Sequence, residues 1–261
     1  MASYDIIGNI AIIKPEINGK KKTKKELVNE ANVIIKDHKS VKTVVSKSDR
    51  IKGRLRTIKP KHVLGEKNLV ARYVENGCEF VLDVSTCYFS SRLSNDRKRL
   101  ASKIKKTNKV LCMFAGVGVY PIVIKKLANP KEIVAVELGR DCCKYFKKNL
   151  ILNKISENRI KIIQGDVKKK VTKDLGIFNV VVMTRPNLRD TFLEPALSVC
   201  RKGTKIFYHL FCHEDDLDSE LVKLVDVSRN IGRRVKVKNV ERAGDIAPYK
   251  HRYMVEIKVL S

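Results

Sequence analysis

The segment Lys109-Val110-Leu111-Cys112-Met113-Phe114-Ala115-Gly116-Val117-Gly118 decides the fold. Its first half is a short apolar run of strand length. A glycine loop follows, and a helix is expected from there through 127. A buried strand that passes through glycines into a helix is the repeating unit of an α/β sheet. Glycine lets the backbone approach a ligand closely, and the N-terminus of the next helix attracts a carboxylate.

Working outward from the loop, strand and helix alternate. Strands are expected over 132–136 (ending on Glu137), 160–163 (ending at Gly165-Asp166), 178–183 and 203–209, with helices over 141–152, 192–201 and 215–231. Two further strands, 234–240 and 252–260, have no helix between them and predict a closing antiparallel hairpin. The fold class is therefore α/β, with a mostly parallel, doubly wound sheet and an antiparallel final strand.

Upstream of about 90 the pattern differs. Tyr4-Asp5-Ile6-Ile7-Gly8-Asn9-Ile10-Ala11-Ile12-Ile13 reads as two strands about a Gly-Asn turn. A helix is expected over 24–38, a strand over 41–45, and paired strands over 68–72 and 78–84 about the Asn76-Gly77 turn. Between them, 51–60 reads as extended chain carrying Arg54 and Arg56. The expected organisation is a small α+β unit, residues 1–90, followed by the α/β domain, residues 91–261.

Composition narrows the partners. Lys and Arg outnumber Asp and Glu by 55 to 28, giving a net charge of +27 spread along all 261 residues. Such a surface attracts a polyanion, and nucleic acid is the usual one. Seven cysteines without a C-x-x-C pair point to reduced thiols and no metal site, which suits a cytoplasmic protein. No apolar run approaches the roughly 18 residues of a membrane span, and the N-terminus does not read as a signal peptide.

Ligands in doubly wound sheets bind outside the C-terminal strand ends. Phe114, Ala115, Gly116 and Gly118 form the loop there. Glu137 can accept both hydroxyls of a ribose, and Asp166 can accept from an adenine amino group. Each has a plainer reading, a tight turn or a surface acid, but three successive strand ends together read as an adenosine site. Tyr120 and Pro121 stand where a dinucleotide fingerprint continues, so NAD fits less well than S-adenosylmethionine, which carries no pyrophosphate.

At these residues the chain resembles the archaeal and eukaryotic tRNA (guanine-37 N1) methyltransferase family. Tyr88-Phe89-Ser90-Ser91-Arg92-Leu93 with Asp96-Arg97-Lys98-Arg99, the 113–118 loop, Gly165-Asp166-Val167 and Ala247-Pro248-Tyr249 all resemble its motifs, and the resemblance covers nearly the whole chain. It implies a Rossmann-like class I methyltransferase domain that uses S-adenosylmethionine, a tRNA partner bound at its anticodon region, a monomer, and no family elbow-binding domain ahead of residue 1. It further implies Asp96 as the base, Arg56 as the cation beside guanine O6, Arg92 and Arg97 as contacts to phosphate or a flipped-out base, and Pro186 in the cofactor wall. Three positions depart from the family pattern: Asp96 replaces a glutamate, Cys112 an aspartate, and Thr184-Arg185-Pro186 an Asn-Leu-Pro type motif. Transfer of an aminocarboxypropyl group in wybutosine-type modification, and a non-catalytic tRNA-binding paralogue, are the alternatives.

Overall fold

A computed structural model describes residues 4–17, 19–47, 57–184 and 190–261. Arg54, Arg56 and Pro186 lie outside the described residues. The first unit is a four-stranded sheet ordered β1-β2-β5-β6, from β1 (Tyr4–Ile7), β2 (Ile10–Ile13), β5 (Thr43–Lys47) and β6 (Pro60–Gly65). A small ribbon, β3 (Glu16–Ile17) with β4 (Lys20–Lys21), and helix α1 (Lys24–Asp37) intervene. The helix starts at Thr23 with a complete capping box to Glu26. It buries Ala31 and Ile34 against Ala11, Ile13 and Val44 of the sheet.

Next come β7 (Val70–Glu75) and β8 (Cys78–Asp83), paired about Asn76-Gly77. This hairpin, expected inside the first unit, packs instead on the second. Asn149 and Asn153 of α4 (Arg140–Leu152) and its C-cap hold the open edge of β8. Asn149 accepts from Val81 N–H at 2.7 Å, and Asn153 both accepts from and donates to the Glu79 backbone, at 3.0 and 2.6 Å. Side-chain amides thus satisfy an edge that would otherwise lack partners. The β1–β2 turn rests on the hairpin. A Cβ on Gly8, where φ is +56°, would sit 1.5 Å from the Arg72 carbonyl oxygen, so only glycine fits that crossing.

The remaining chain contributes α2 (Ser94–Ser102), β9 (Lys109–Met113), α3 (Val119–Ala128), β10 (Glu132–Glu137), α4, β11 (Lys161–Gln164), α5 (Val167–Lys170), β12 (Phe178–Met183), α6 (Leu193–Ser198), β13 (Cys200–His213), α7 (Leu217–Asn230), β14 (Val235–Ala247) and β15 (Lys250–Val259). Seven strands form one sheet ordered β11-β10-β9-β12-β13-β15-β14. β9 through β13 pair in parallel, and β15 inserts antiparallel between β13 and β14. The expected closing hairpin is present, and the α/β fold is as expected.

Alternation along β9 explains why both faces are covered. Val110 and Cys112 enter one core, Leu111 and Met113 the other. The first core continues through Phe80 and Leu82 of the hairpin to Ile7, Ile10 and Ile12, so one apolar body joins the two units. Burial pushes the Cys112 thiol far up, and the residue does not line the cleft described below. Its departure from the family pattern concerns packing. No helix among the described residues is long and apolar enough to cross a membrane.

Candidate active site

From β9 the chain runs outward through β10 to β11 on one side and returns from β11 to β12 on the other, which makes the C-terminal end of β9 the switch point where such sheets hold ligands. Phe114, Ala115 and Gly116 after β9, Glu137 ending β10, Asp166 after β11 and Thr184 after β12 line one cleft there. Sequence reasoning placed the first five of these together, and the fold brings them together.

The loop is built from unusual backbone. Phe114, Gly116 and Gly118 have φ of 61°, 58° and 88°. A left-handed phenylalanine costs about 1–2 kcal/mol. Neighbours hold it there: the Thr184 hydroxyl donates to its carbonyl at 3.4 Å, and the Phe192 ring meets its ring edge-on with centroids 5.0 Å apart. Gly118 does not line the cleft. A Cβ there would lie 2.1 Å from the Phe146 ring, so this glycine lets α3 pack against α4.

Glu137 is 8% exposed. Its two carboxylate oxygens accept from the Gly116 and Gly139 N–H groups, each at 2.7 Å. Burial raises its carboxyl above the usual range, and the amides pull back only part of that shift. Each oxygen keeps further lone-pair capacity, so a ribose diol fits the acid's chemistry. Asp166 caps α5 by accepting from Lys168 N–H at 3.0 Å and lines the same cleft.

Asp96 does not line the cleft. It is 3% exposed, and its Oδ2 accepts from the Tyr120 hydroxyl at 2.6 Å and lies 3.3 Å from His209 Nε2. Tyr120 and His209 form the wall in front of it. Burial alone would raise the Asp96 carboxyl, but the His209 and Tyr120 contacts outweigh burial and hold it below the usual value. Burial lowers His209, which favours the neutral ring. A carboxylate only accepts, so Nε2 carries the proton in this contact and Nδ1 keeps a lone pair.

Arg97 is not at the surface, where a phosphate contact, one of the two roles the resemblance implied, would need it. It is 2% exposed, its guanidinium donates to both oxygens of Glu75, and Nη2 also reaches the Ser90 carbonyl at 3.1 Å. The group lies 5.5 Å from the ring centres of both Phe89 and Tyr120. A phosphate on an RNA surface cannot reach it, but it lines the cleft, so its other implied partner, a flipped-out base, stays open to it. Arg92 is at the surface, paired with Asp5 at 2.6 Å, and lines a second cavity. That cavity shares Tyr88, Phe89, Ser90, Phe211 and Arg252 with the first.

Sequence reasoning missed Tyr120, Phe192, His209, Phe211 and Arg252. His209 left a signal: a titratable residue inside the apolar run Ile206-Phe207-Tyr208-His209-Leu210, at the end of the strand expected over 203–209. Arg252 left a similar one, in the Arg252-Tyr253-Met254-Val255 strand.

Residues 71–238 match the family described as TRM5/TYW2 methyltransferase domain, and residues 1–68 match the TYW2 N-terminal domain. The junction falls between the end of β6 and the start of β7. A Nanoarchaeum equitans relative, named tRNA (guanine(37)-N(1))/4-demethylwyosine(37)-methyltransferase Taw22, is 30% identical over 99% of this chain and 100% of its own length. Trm5b of Pyrococcus abyssi is 32% identical over 98% of this chain and 74% of its own. Its crystal structure has a TM-score of 0.85 at 30% identity, covering 99% of this chain and 75% of that one. The complex of aTrm5 with tRNALeu has a TM-score of 0.82 at 27% identity, covering 98% and 72%. With the strand-end cleft, the mixed, mostly parallel sheet and matches over both units in agreement, the chain belongs to the TRM5/TYW2 methyltransferase family.

Proposed function

We propose that this protein is an S-adenosylmethionine-dependent tRNA methyltransferase that modifies N1 of guanine-37. The observation that carries the reading is a single cleft lined by an adenosine-type acid pair, Glu137 and Asp166, and by a histidine backed by a buried carboxylate, His209 with Asp96. Glu137 takes the ribose hydroxyls, Asp166 the adenine amino group, and the Phe114–Phe192 ring pair the adenine face. Pro186, outside the described residues, is assigned to the same wall.

S-adenosylmethionine supplies an electrophilic methyl carbon; attack by N1 breaks the carbon–sulfur bond and leaves S-adenosylhomocysteine. Guanine N1 carries a proton at neutral pH, so the chain must remove it. His209 borders the cleft and is neutral; it takes that proton at Nδ1, while Asp96 holds Nε2–H and stabilises the imidazolium that forms. Asp96 thus acts as the positioning residue behind the base. Arg56 is assigned to the base's O6 side. Arg92, Lys47 and the overall +27 charge bind the tRNA backbone.

A second reading has one observation behind it. The N. equitans relative, matched over its full length, carries both guanine-37 and 4-demethylwyosine-37 in its name. Incubation with tRNA transcripts bearing either base, and with cofactor labelled in the methyl or the aminocarboxypropyl part, separates the possibilities. Methyl label on guanine-37 supports the first reading, and methyl label on the tricyclic base the second. Transfer of the carbon chain, or no transfer at all, refutes both.

A further inference from the structure

We propose that Arg252 reads the base, donating from its guanidinium to the O6 and N7 edge of guanine; this rests on the methyl-transfer reading above. Arg252 stands on β15 directly across from Phe211 on β13, and its guanidinium carbon lies 5.2 Å from the Phe211 ring centre. The residue is 9% exposed. Its Nε is buried without a hydrogen-bond partner among the described residues, and Nη2 lies 3.5 Å from the Tyr88 hydroxyl. Arg97, more deeply buried, is neutralised by Glu75. A buried cation with an unpaired Nε–H is costly to keep, and such a group is completed by what enters the cavity.

Its position says what enters. Glu137 and Asp166 line only the first cavity, whereas Arg252 lines both. It therefore sits on the side of the cofactor cleft that faces the second cavity, whose wall carries Lys47 and Arg92. A backbone phosphate cannot reach so buried a group, but a base turned out of its stack can. Guanine presents two acceptors, O6 and N7, to a planar fork of donors, while adenine presents a donor at N6. Phe211 packs beside that fork. As N1 loses its proton, negative charge grows on O6 beside a cation already in place, with His209 in the same wall.

The test compares wild type with Arg252→Met and Arg252→Lys. Single-turnover methyl transfer to a guanine-37 tRNA transcript, S-adenosylhomocysteine binding, and affinity for anticodon stem-loops bearing guanine or adenine at position 37 are measured for each. In Arg252→Met the expected results are an intact thermal transition, unchanged S-adenosylhomocysteine affinity, and a transfer rate lower by about 10²–10³-fold. The guanine preference over adenine should shrink by about ten- to a hundredfold. Arg252→Lys, which keeps the charge without the fork, should recover part of the rate but not the preference. An unchanged rate and preference in Arg252→Met, or a parallel loss of S-adenosylhomocysteine affinity, overturns the assignment. If Arg252→Met does not fold, Arg252→Lys decides on the preference alone. If wild type methylates neither guanine-37 nor the tricyclic base, the functional reading fails. The stem-loop preference then still judges Arg252: lost in the variants supports it, retained or absent in wild type overturns it.

Discussion

Oδ2 of Asp96 lies 3.3 Å from Nε2 of His209, and only the histidine reaches the cleft. Asp96→Asn keeps the size but loses the charge, and its amide can present a donor toward Nε2–H. The transfer rate should fall by about 10²–10⁴-fold while S-adenosylhomocysteine affinity holds, the range seen when a histidine base loses its orienting acid or its own role. Asp96→Glu should not rescue it, because an extra methylene in a fully packed site costs about 1–3 kcal/mol in overpacking. Rates under single turnover and thermal transitions check both. A fully active Asp96→Asn enzyme would remove the dyad from the mechanism.

The same pair sets a pH dependence. His209 is lowered in the folded protein from its ordinary 6.5, chiefly by burial. The unfolded chain therefore takes up its proton first as pH falls. Stability from this group is fully present above 6.5 and is lost progressively below it, down to the folded value. Asp96 is lowered too, so its contribution is present above the ordinary carboxylate value and is lost only in stronger acid. Transition temperatures measured across pH should show a decline beginning near 6.5 that His209→Asn flattens. The acid limb of the transfer rate should lie below that value as well, since the neutral ring is the active form. A limb above it would mean that another group titrates.

Glu137 is the residue proposed above to take the ribose hydroxyls. Glu137→Gln keeps one carbonyl acceptor and turns an amide toward a backbone N–H. The loss of a charge-assisted hydrogen bond is worth about 1.5–3 kcal/mol, or roughly ten- to a hundredfold in cofactor affinity. Isothermal titration with S-adenosylhomocysteine measures this directly, and tRNA affinity in the absence of cofactor should not change.

Which of these residues could be read from the sequence follows from how local each signal is. The strand–loop–helix around Gly116, and the acids at the ends of β10 and β11, rest on periodicity and sequence order, and the fold places them where expected. The Arg97 and Gly118 roles do not. Arg97 meets Glu75 of a hairpin 22 residues upstream, and Gly118 meets a ring on the next helix. Neither partner is legible from spacing. The hairpin's place was likewise hidden, because Asn149 and Asn153, which anchor it, read as ordinary polar residues of a surface helix. Arg252 and His209 come together only because β15 inserts beside β13, a pairing that element order alone does not dictate.

The two glycines of the loop should separate structure from binding. Gly118→Ala puts a Cβ 2.1 Å from the Phe146 ring at a φ of +88°. Left-handed backbone costs about 1–2 kcal/mol, and overpacking adds about 1–3 kcal/mol. For a chain of this size each kcal/mol lowers the transition by about 2–4 °C. Gly116→Ala meets nothing closer than 4.0 Å, the Tyr88 carbonyl oxygen. It should lose only the conformational part of that stability, and a larger share of cofactor affinity. Equal losses of stability in the two variants would contradict the packing role of Gly118.

Arg92 and Arg97 stand five residues apart and should behave oppositely. Arg97 has both carboxylate oxygens of Glu75 in a buried pair, and removing one partner of such a pair costs about 3–5 kcal/mol. Arg97→Met should therefore be strongly destabilised, and the Arg97→Met, Glu75→Leu double variant should recover much of that loss. Arg92 is more than half exposed and paired with Asp5, an arrangement worth about 0–1 kcal/mol. Arg92→Ala should keep its transition temperature. Its tRNA affinity should fall, and the slope of log affinity against log salt should decrease by about one, the signature of a lost phosphate contact. Filter binding over a range of salt concentrations reads the slope. An unchanged slope would place the RNA backbone elsewhere on the basic surface, with Arg92 left as the partner of Asp5.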